Sequence, residues 1–264
     1  MNYITKLRES LKKKNTYLCV GIDPDPAKLP DKFKKSVDGV FNFCKEVIEA
    51  TSEFTPAYKF NLAFFEIWGW QGWKILEELL ALVPDDIILV GDAKRGDIGN
   101  SSRFYAKALT ETLKFDAITL SPYLGSESIQ PFIEDENKGC FVLCVTSNPS
   151  GRELQDHGDD KPLYIKTAEI CQSLNEKGNV GIVMGATKPA QLLDVRKQFP
   201  GLPFLIPGVG SQGGAVDTAV KACQQNGAGL INVSRGIIFA PEGAFPENVK
   251  TAAKKYKELF KIEE

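Results

Sequence analysis

Residues 91–100 read GDAKRGDIGN, and they set an acid, a base and a second acid close together: Asp92, Lys94 and Asp97. An ammonium held among carboxylates can stabilise a developing negative charge and then hand over a proton. The stretch follows directly on the apolar run IILV, so the charges stand where a buried strand ends. The spacing alone carries little weight, because at this composition chance gives about half an acid-x-base-x-x-acid match per chain. A surface ion pair of this kind is worth about 0–1 kcal/mol. Position adds the meaning. Two residues apart on a strand, Asp92 and Lys94 point to one face, with Ala93 turned the other way. Lys59, in the run AYKFN, adds a second cation from another strand. Buried charges persist when paired and collect at functional sites. An alternating Lys59–Asp92–Lys94–Asp97 array would hold each group ionised through its neighbours.

A second motif, GVGSQG at residues 208–213, matches G-x-G-x-x-G between a strand and a helix. A dinucleotide site needs an acid closing the following strand. Here that strand reads GLINVSRGI and closes with Arg235, a cation. The pair fits a phosphate monoester instead, held by backbone N–H groups and a forked guanidinium. Other chemistries have no residues to work with. The chain has one histidine, His157, in the polar stretch GRELQDHGDD, and six cysteines with no C-x-x-C. A structural zinc site or a Cys–His nucleophile pair is therefore not expected, and buried free thiols are. Carboxylates, lysines, hydroxyls and backbone must do the work, with no metal.

Such residues need elements to aim them. Apolar runs fall at 17–23, 57–61, 86–92, 117–121, 140–147, 180–186, 204–210 and 229–235. Amphipathic stretches of helical length lie between them, such as FFEIWGWQGWKILEELLALV and SSRFYAKALTETL. Eight strand–helix units predict an α/β fold, a (β/α)8 TIM barrel whose parallel strands read as continuous apolar runs. A doubly wound open sheet is the runner-up. No Gly/Ser-rich linker divides the chain, so one domain over 1–264 is expected. A barrel places function at the C-terminal ends of its strands. Asp23, Lys59, Asp92 with Lys94, Ser121, Thr146 with Ser147, the PGVGSQGG loop and Arg235 all stand at such ends.

The 264 residues are 43% hydrophobic and carry a formal charge of −2. Near-neutral charge speaks against a nucleic-acid partner, which calls for a basic excess. The Lys-rich start KLRESLKKK reads as the solvated face of a first helix. No apolar run reaches the roughly 18 residues of a membrane span and no signal peptide opens the sequence, so a cytoplasmic protein without a membrane role is expected.

These residues resemble those of a known family. GDAKRGDIGNSS is similar to the D-x-K-x-x-D-I signature of the orotidine 5′-phosphate decarboxylases, (β/α)8 homodimers that make UMP without a cofactor. The likeness runs along the chain in family order: CVGIDPDP at strand 1, YKFN at strand 2, TSNPSG at strand 5, PGVGSQGG at strand 7 and VSRGI at strand 8. GIDPDP and TSNPSG resemble the longer bacterial branch.

The resemblance implies roles. Lys94 would donate the proton to C6 of the pyrimidine, Asp92 would face the substrate carboxylate, and Lys59 would bridge a ribose hydroxyl and Asp92. Asp97 and Ile98 would enter from the partner subunit, Asp97 reaching Lys94 and the ribose. Asp23 would hold a ribose hydroxyl, Ser147 would meet the base, and Gln212 and Arg235 would bind the phosphate. Ser101 stands where the family usually has threonine, and Ser234 where many members have glycine. Both keep hydrogen-bonding capacity, so tuning rather than loss is expected. Two alternatives stand beside this: a Mg2+-dependent barrel that decarboxylates 3-keto-L-gulonate 6-phosphate and carries the same D-x-K-x-x-D motif, and an inactive sugar-phosphate-binding module, against which the intact Lys59, Asp92, Lys94 and Asp97 set argues.

Overall fold

The structure, a computed structural model, describes residues 1–209, 215–225 and 228–263. Eight parallel strands close into a barrel in sequence order, the last pairing with the first. They are β1 (Leu18–Ile22), β2 (Ala57–Asn61), β3 (Ile88–Arg95), β4 (Ala117–Leu120), β5 (Gly139–Val145), β6 (Val180–Met184), β7 (Phe204–Pro207) and β8 (Gly229–Val233). Each begins within two residues of its apolar run. The runs are continuous because both faces are covered: every residue of β1, β4, β6 and β8 is buried. This closed order rules out the open sheet.

The helices are α1 (Tyr3–Lys14), α2 (Val37–Thr51), α3 (Ala63–Glu66), α4 (Trp70–Leu80), α5 (Gly99–Lys107), α6 (Arg152–Gln155), α7 (Leu163–Leu174), α8 (Pro189–Gln198), α9 (Val216–Gln224), α10 (Arg235–Ile238) and α11 (Glu247–Leu259). Local chemistry sets their ends. Asn2 accepts from the Thr5 N–H and Ser36 from the Gly39 N–H, each satisfying a first-turn donor. α1 turns its buried Tyr3, Leu7 and Leu11 to the core and its Lys12–Lys14 end to solvent and to the helix dipole.

Two expected helices take another form. The long stretch after β2 splits into α3 and α4 at Gly69, whose φ of +57° breaks the helical path. Between β4 and β5 the chain makes only two 3-10 turns, Ser126–Ser128 and Gln130–Phe132. Pro122, Gly125 and Pro131 leave too little uninterrupted chain there for an α-helix. Among the described residues, no helix is long and apolar enough to cross a membrane.

Candidate active site

A cavity of about 290 Å³ opens at the C-terminal mouth of the barrel. Leu143, Val183 and Leu205, from β5, β6 and β7, give it an apolar wall. Charge occupies the opposite wall. Lys59, only 4% exposed on β2, places Nζ 2.9 Å from Asp92 Oδ2 and 3.9 Å from Asp23 Oδ1. Lys94 Nζ stands 2.6 Å from Asp92 Oδ1. Within the chain the array therefore runs Asp23–Lys59–Asp92–Lys94.

The electrostatics hold the two central groups of this array, Lys59 and Asp92, ionised. Burial by itself pushes Asp92 up, but Lys59 and Lys94 overcome it and keep the carboxyl well below the usual carboxylate range. Burial likewise disfavours the Lys59 ammonium, and Asp23 and Asp92 reverse that, raising it above the usual lysine range. Beneath them the Cys19 thiol is pushed up to about 12, chiefly by burial, and is neutral. The other five cysteines are also free and buried.

Lys94 reaches Asp92 by a different backbone route from simple strand alternation. Its φ is +48°, in the left-handed region, where a non-glycine residue costs about 1–3 kcal/mol. The adjacent Arg95 turns out of the cavity. It pairs with Glu66 of α3, donates to the Ala93 carbonyl and lies over the Tyr105 ring.

The remaining strand ends complete the rim. Ser147 lines the cavity in a loop that Gln155 clamps, accepting from the Thr146 N–H at 3.0 Å and donating to Thr146 Oγ1 at 2.7 Å. Gly208, Val209 and Arg235 line the side formed by β7 and β8. Gly21 of β1 leaves room for this side: a Cβ there would lie 2.7 Å from Ser234 Cβ. Asp23 Oδ1, Asn232 Oδ1 and Ser234 Oγ are buried at the same cavity without a hydrogen-bond partner among the described residues. Such groups call for a ligand or water that donates or accepts there.

Of the residues singled out in the sequence, Asp23, Lys59, Asp92, Lys94, Ser147 and Arg235 meet in this cavity. Asp97, Ile98 and Ser101 do not line it. Asp97 Oδ1 accepts from the Ile98 N–H, and Ile98 is 55% exposed. Gln212 lies outside the described residues. Ser121 is also absent from the cavity, and Thr119 lines it instead. Thr119, Asn61 and Asn232 are cavity residues that the reading of strand ends passed over. Their signal is a polar residue inside an apolar barrel strand: AITL, AYKFN and GLINV.

Fold and site together define a (β/α)8 barrel enzyme with paired carboxylates and lysines at the ends of its strands. A family model described as Orotidine 5′-phosphate decarboxylase / HUMPS family matches residues 16–254. The orotidine 5′-phosphate decarboxylase of Roseiflexus castenholzii is 42% identical, over 98% of this chain and 97% of its own. That of Herpetosiphon aurantiacus is 41% identical over 98% and 97%. The solved OMP decarboxylase of Leishmania donovani superposes with a TM-score of 0.86 at 40% identity, covering 98% of this chain and 97% of that one. The chain belongs to the orotidine 5′-phosphate decarboxylase / HUMPS family.

Proposed function

We propose that this chain decarboxylates orotidine 5′-phosphate to UMP, the last step of de novo pyrimidine nucleotide biosynthesis, without a cofactor. The observation that carries this reading is the array in which Asp92 lies 2.6 Å from Lys94 Nζ and 2.9 Å from Lys59 Nζ in one cavity. Loss of CO2 leaves the electron pair of the broken C–C bond on C6, where no adjacent carbonyl delocalises it. The Lys94 ammonium stabilises that pair and then donates a proton to C6, forming the C–H bond of UMP. Solvent returns the proton to the amine. Enzymes remove about 8–23 kcal/mol from a barrier, and this reaction needs the upper part of that range.

Asp92 faces the substrate carboxylate, and Lys59 orients both Asp92 and a ribose hydroxyl. Asp23 takes a ribose hydroxyl, for which its Oδ1, ion-paired at 3.9 Å with Lys59 but without a hydrogen bond, is suited. Ser147 meets the base, whose flat ring suits the Leu143, Val183 and Leu205 wall. Arg235 and Gln212 hold the phosphate. Binding energy from that remote group is used in the transition state.

The working unit is a homodimer with shared sites, each chain one barrel domain over 1–264. Asp97 and Ile98 serve the partner's cavity rather than their own, and Ser101 takes part in substrate binding. Trp70, 73% exposed, borders an apolar groove with Trp73 and Tyr105, and exposed Ile98 and Phe104 flank the same β3–α5 segment. Exposed apolar surface of this kind suits a protein interface. Six free buried thiols fit a reducing cytoplasm.

The test is UMP formation from orotidine 5′-phosphate before and after exhaustive EDTA treatment. Equal rates support the reading. Activity lost to EDTA and restored by Mg2+ would favour the gulonate-phosphate type of chemistry. A protein that binds the nucleotide without turnover would be a binding module.

A further inference from the structure

The ladder between β3 and β4 is irregular where the charges stand. Gly91 pairs with Ile118 and Arg95 with Leu120, so β3 advances four residues while β4 advances two. The surplus on β3 is the Asp92–Lys94 segment, which bulges opposite Thr119. Bulges of this kind re-aim side chains beside active sites. They also strip backbone groups of ladder partners, so the freed N–H of Lys94 turns to another acceptor.

Thr119, 1% exposed, supplies it. Its Oγ1 accepts from the Lys94 N–H at 3.0 Å and donates to Asp92 Oδ1 at 2.8 Å. Asp92 Oδ1 is the same oxygen that Lys94 Nζ contacts at 2.6 Å. One hydroxyl therefore ties the backbone of the lysine, in its left-handed conformation, to the carboxylate that receives its side chain. A hydroxyl does both jobs because it donates and accepts at once. The branched Cβ of threonine also restricts the side chain's rotamers. Valine has the same shape and can do neither job.

We propose that Thr119 is a positioning residue: it holds the Lys94 backbone in its bulge and fixes Asp92, so that the ammonium stands where the carbanion forms. This rests on Lys94 being the proton donor. The residue touches the machinery, not the reacting atoms, so its effect should fall on turnover more than on binding.

The experiment compares the wild type with Thr119→Val, Thr119→Ser and Lys94→Ala for kcat, KM, UMP affinity by calorimetry and thermal midpoint. Thr119→Val should lower kcat on the order of 100-fold, the scale of a misplacement near 1 Å, with UMP affinity within about threefold of wild type. Thr119→Ser should stay within about fivefold in kcat, since it keeps the donor and the acceptor. If Thr119→Val does not fold, Thr119→Ala carries the same expectation. Wild-type kcat in Thr119→Val, or Thr119→Ser as impaired as Thr119→Val, overturns the inference. So does a fall in thermal midpoint with kcat per folded enzyme unchanged. An inactive Lys94→Ala beside a fully active Thr119→Val would overturn the role of Thr119 alone. A fully active Lys94→Ala would overturn the proton-donor reading and this inference with it.

Discussion

Lys59 Nζ lies 2.9 Å from Asp92 Oδ2, and both side chains are almost wholly removed from solvent. Lys59 leans on Asp23 as well, at 3.9 Å, while Asp92 leans on Lys94 at 2.6 Å. Each central charge thus has a partner on either side, which offsets part of its desolvation.

Removing one member should cost more than removing two. Breaking a buried pair from one side costs about 3–5 kcal/mol, because an uncompensated charge remains. Lys59→Met should therefore lower unfolding free energy in urea at pH 7 by about that amount. Adding Asp92→Asn should restore part of the loss, a coupling that a double-mutant cycle reads directly. Additive losses would mean that the two groups do not stabilise one another.

The same pair sets a pH dependence. Asp92 is held below its ordinary value, so its stabilisation is present above about pH 4 and is lost as pH falls through the folded value. Lys59 is held above its ordinary value, so its contribution is present below about pH 10 and is lost as pH rises through the folded value. The stability gap between wild type and Lys59→Met should be constant from about pH 5 to 9 and narrow in acid. Thermal midpoints from about pH 9 down into acid below the ordinary carboxylate range near 4 measure it, and a gap that widens in acid would contradict the assignment.

Arg235 stands beside Gly208 and Val209 on the β7–β8 side of the cavity. If it grips phosphate, Arg235→Ala should lower kcat/KM for orotidine 5′-phosphate about 100-fold, the scale of two charge-assisted hydrogen bonds near 1.5 kcal/mol each. The nucleoside lacking phosphate should be hardly affected. Equal losses for both substrates would give Arg235 a structural role.

The barrel was legible because its strands are buried on both faces, so each announces itself as a continuous apolar run. The break at Gly69 and the helix-free passage from β4 to β5 were less so, since amphipathic spacing does not register a left-handed glycine or two prolines outside it. In the site, charged residues at strand ends pointed to Asp23, Lys59, Asp92 and Lys94. The path that brings Lys94 to Asp92 was not readable. A bulge is a register relation between two strands, and neither β3 nor β4 carries it alone. Thr119 and Asn232 were missed for a related reason: a single polar residue in an apolar strand reveals its partner only when the barrel closes.

Asp97 stays outside its own cavity although it is close in sequence to Lys94. A C2 dimer would make each site from Lys94 of one chain and Asp97 of the other. Lys94→Ala and Asp97→Ala chains, each inactive alone, should regain roughly a quarter of wild-type activity when mixed and exchanged, because half the dimers are then mixed and each carries one intact site. Demonstrated exchange without recovered activity would remove Asp97 from the partner's site.

The most direct measurement is single-turnover decarboxylation by Lys94→Ala, with UMP affinity determined on the same preparation. The ammonium acts on charge that exists only in the transition state, so kcat should fall on the order of 10⁴-fold or more while UMP binds within a few-fold of wild type. Turnover close to wild type would contradict electrostatic catalysis by Lys94.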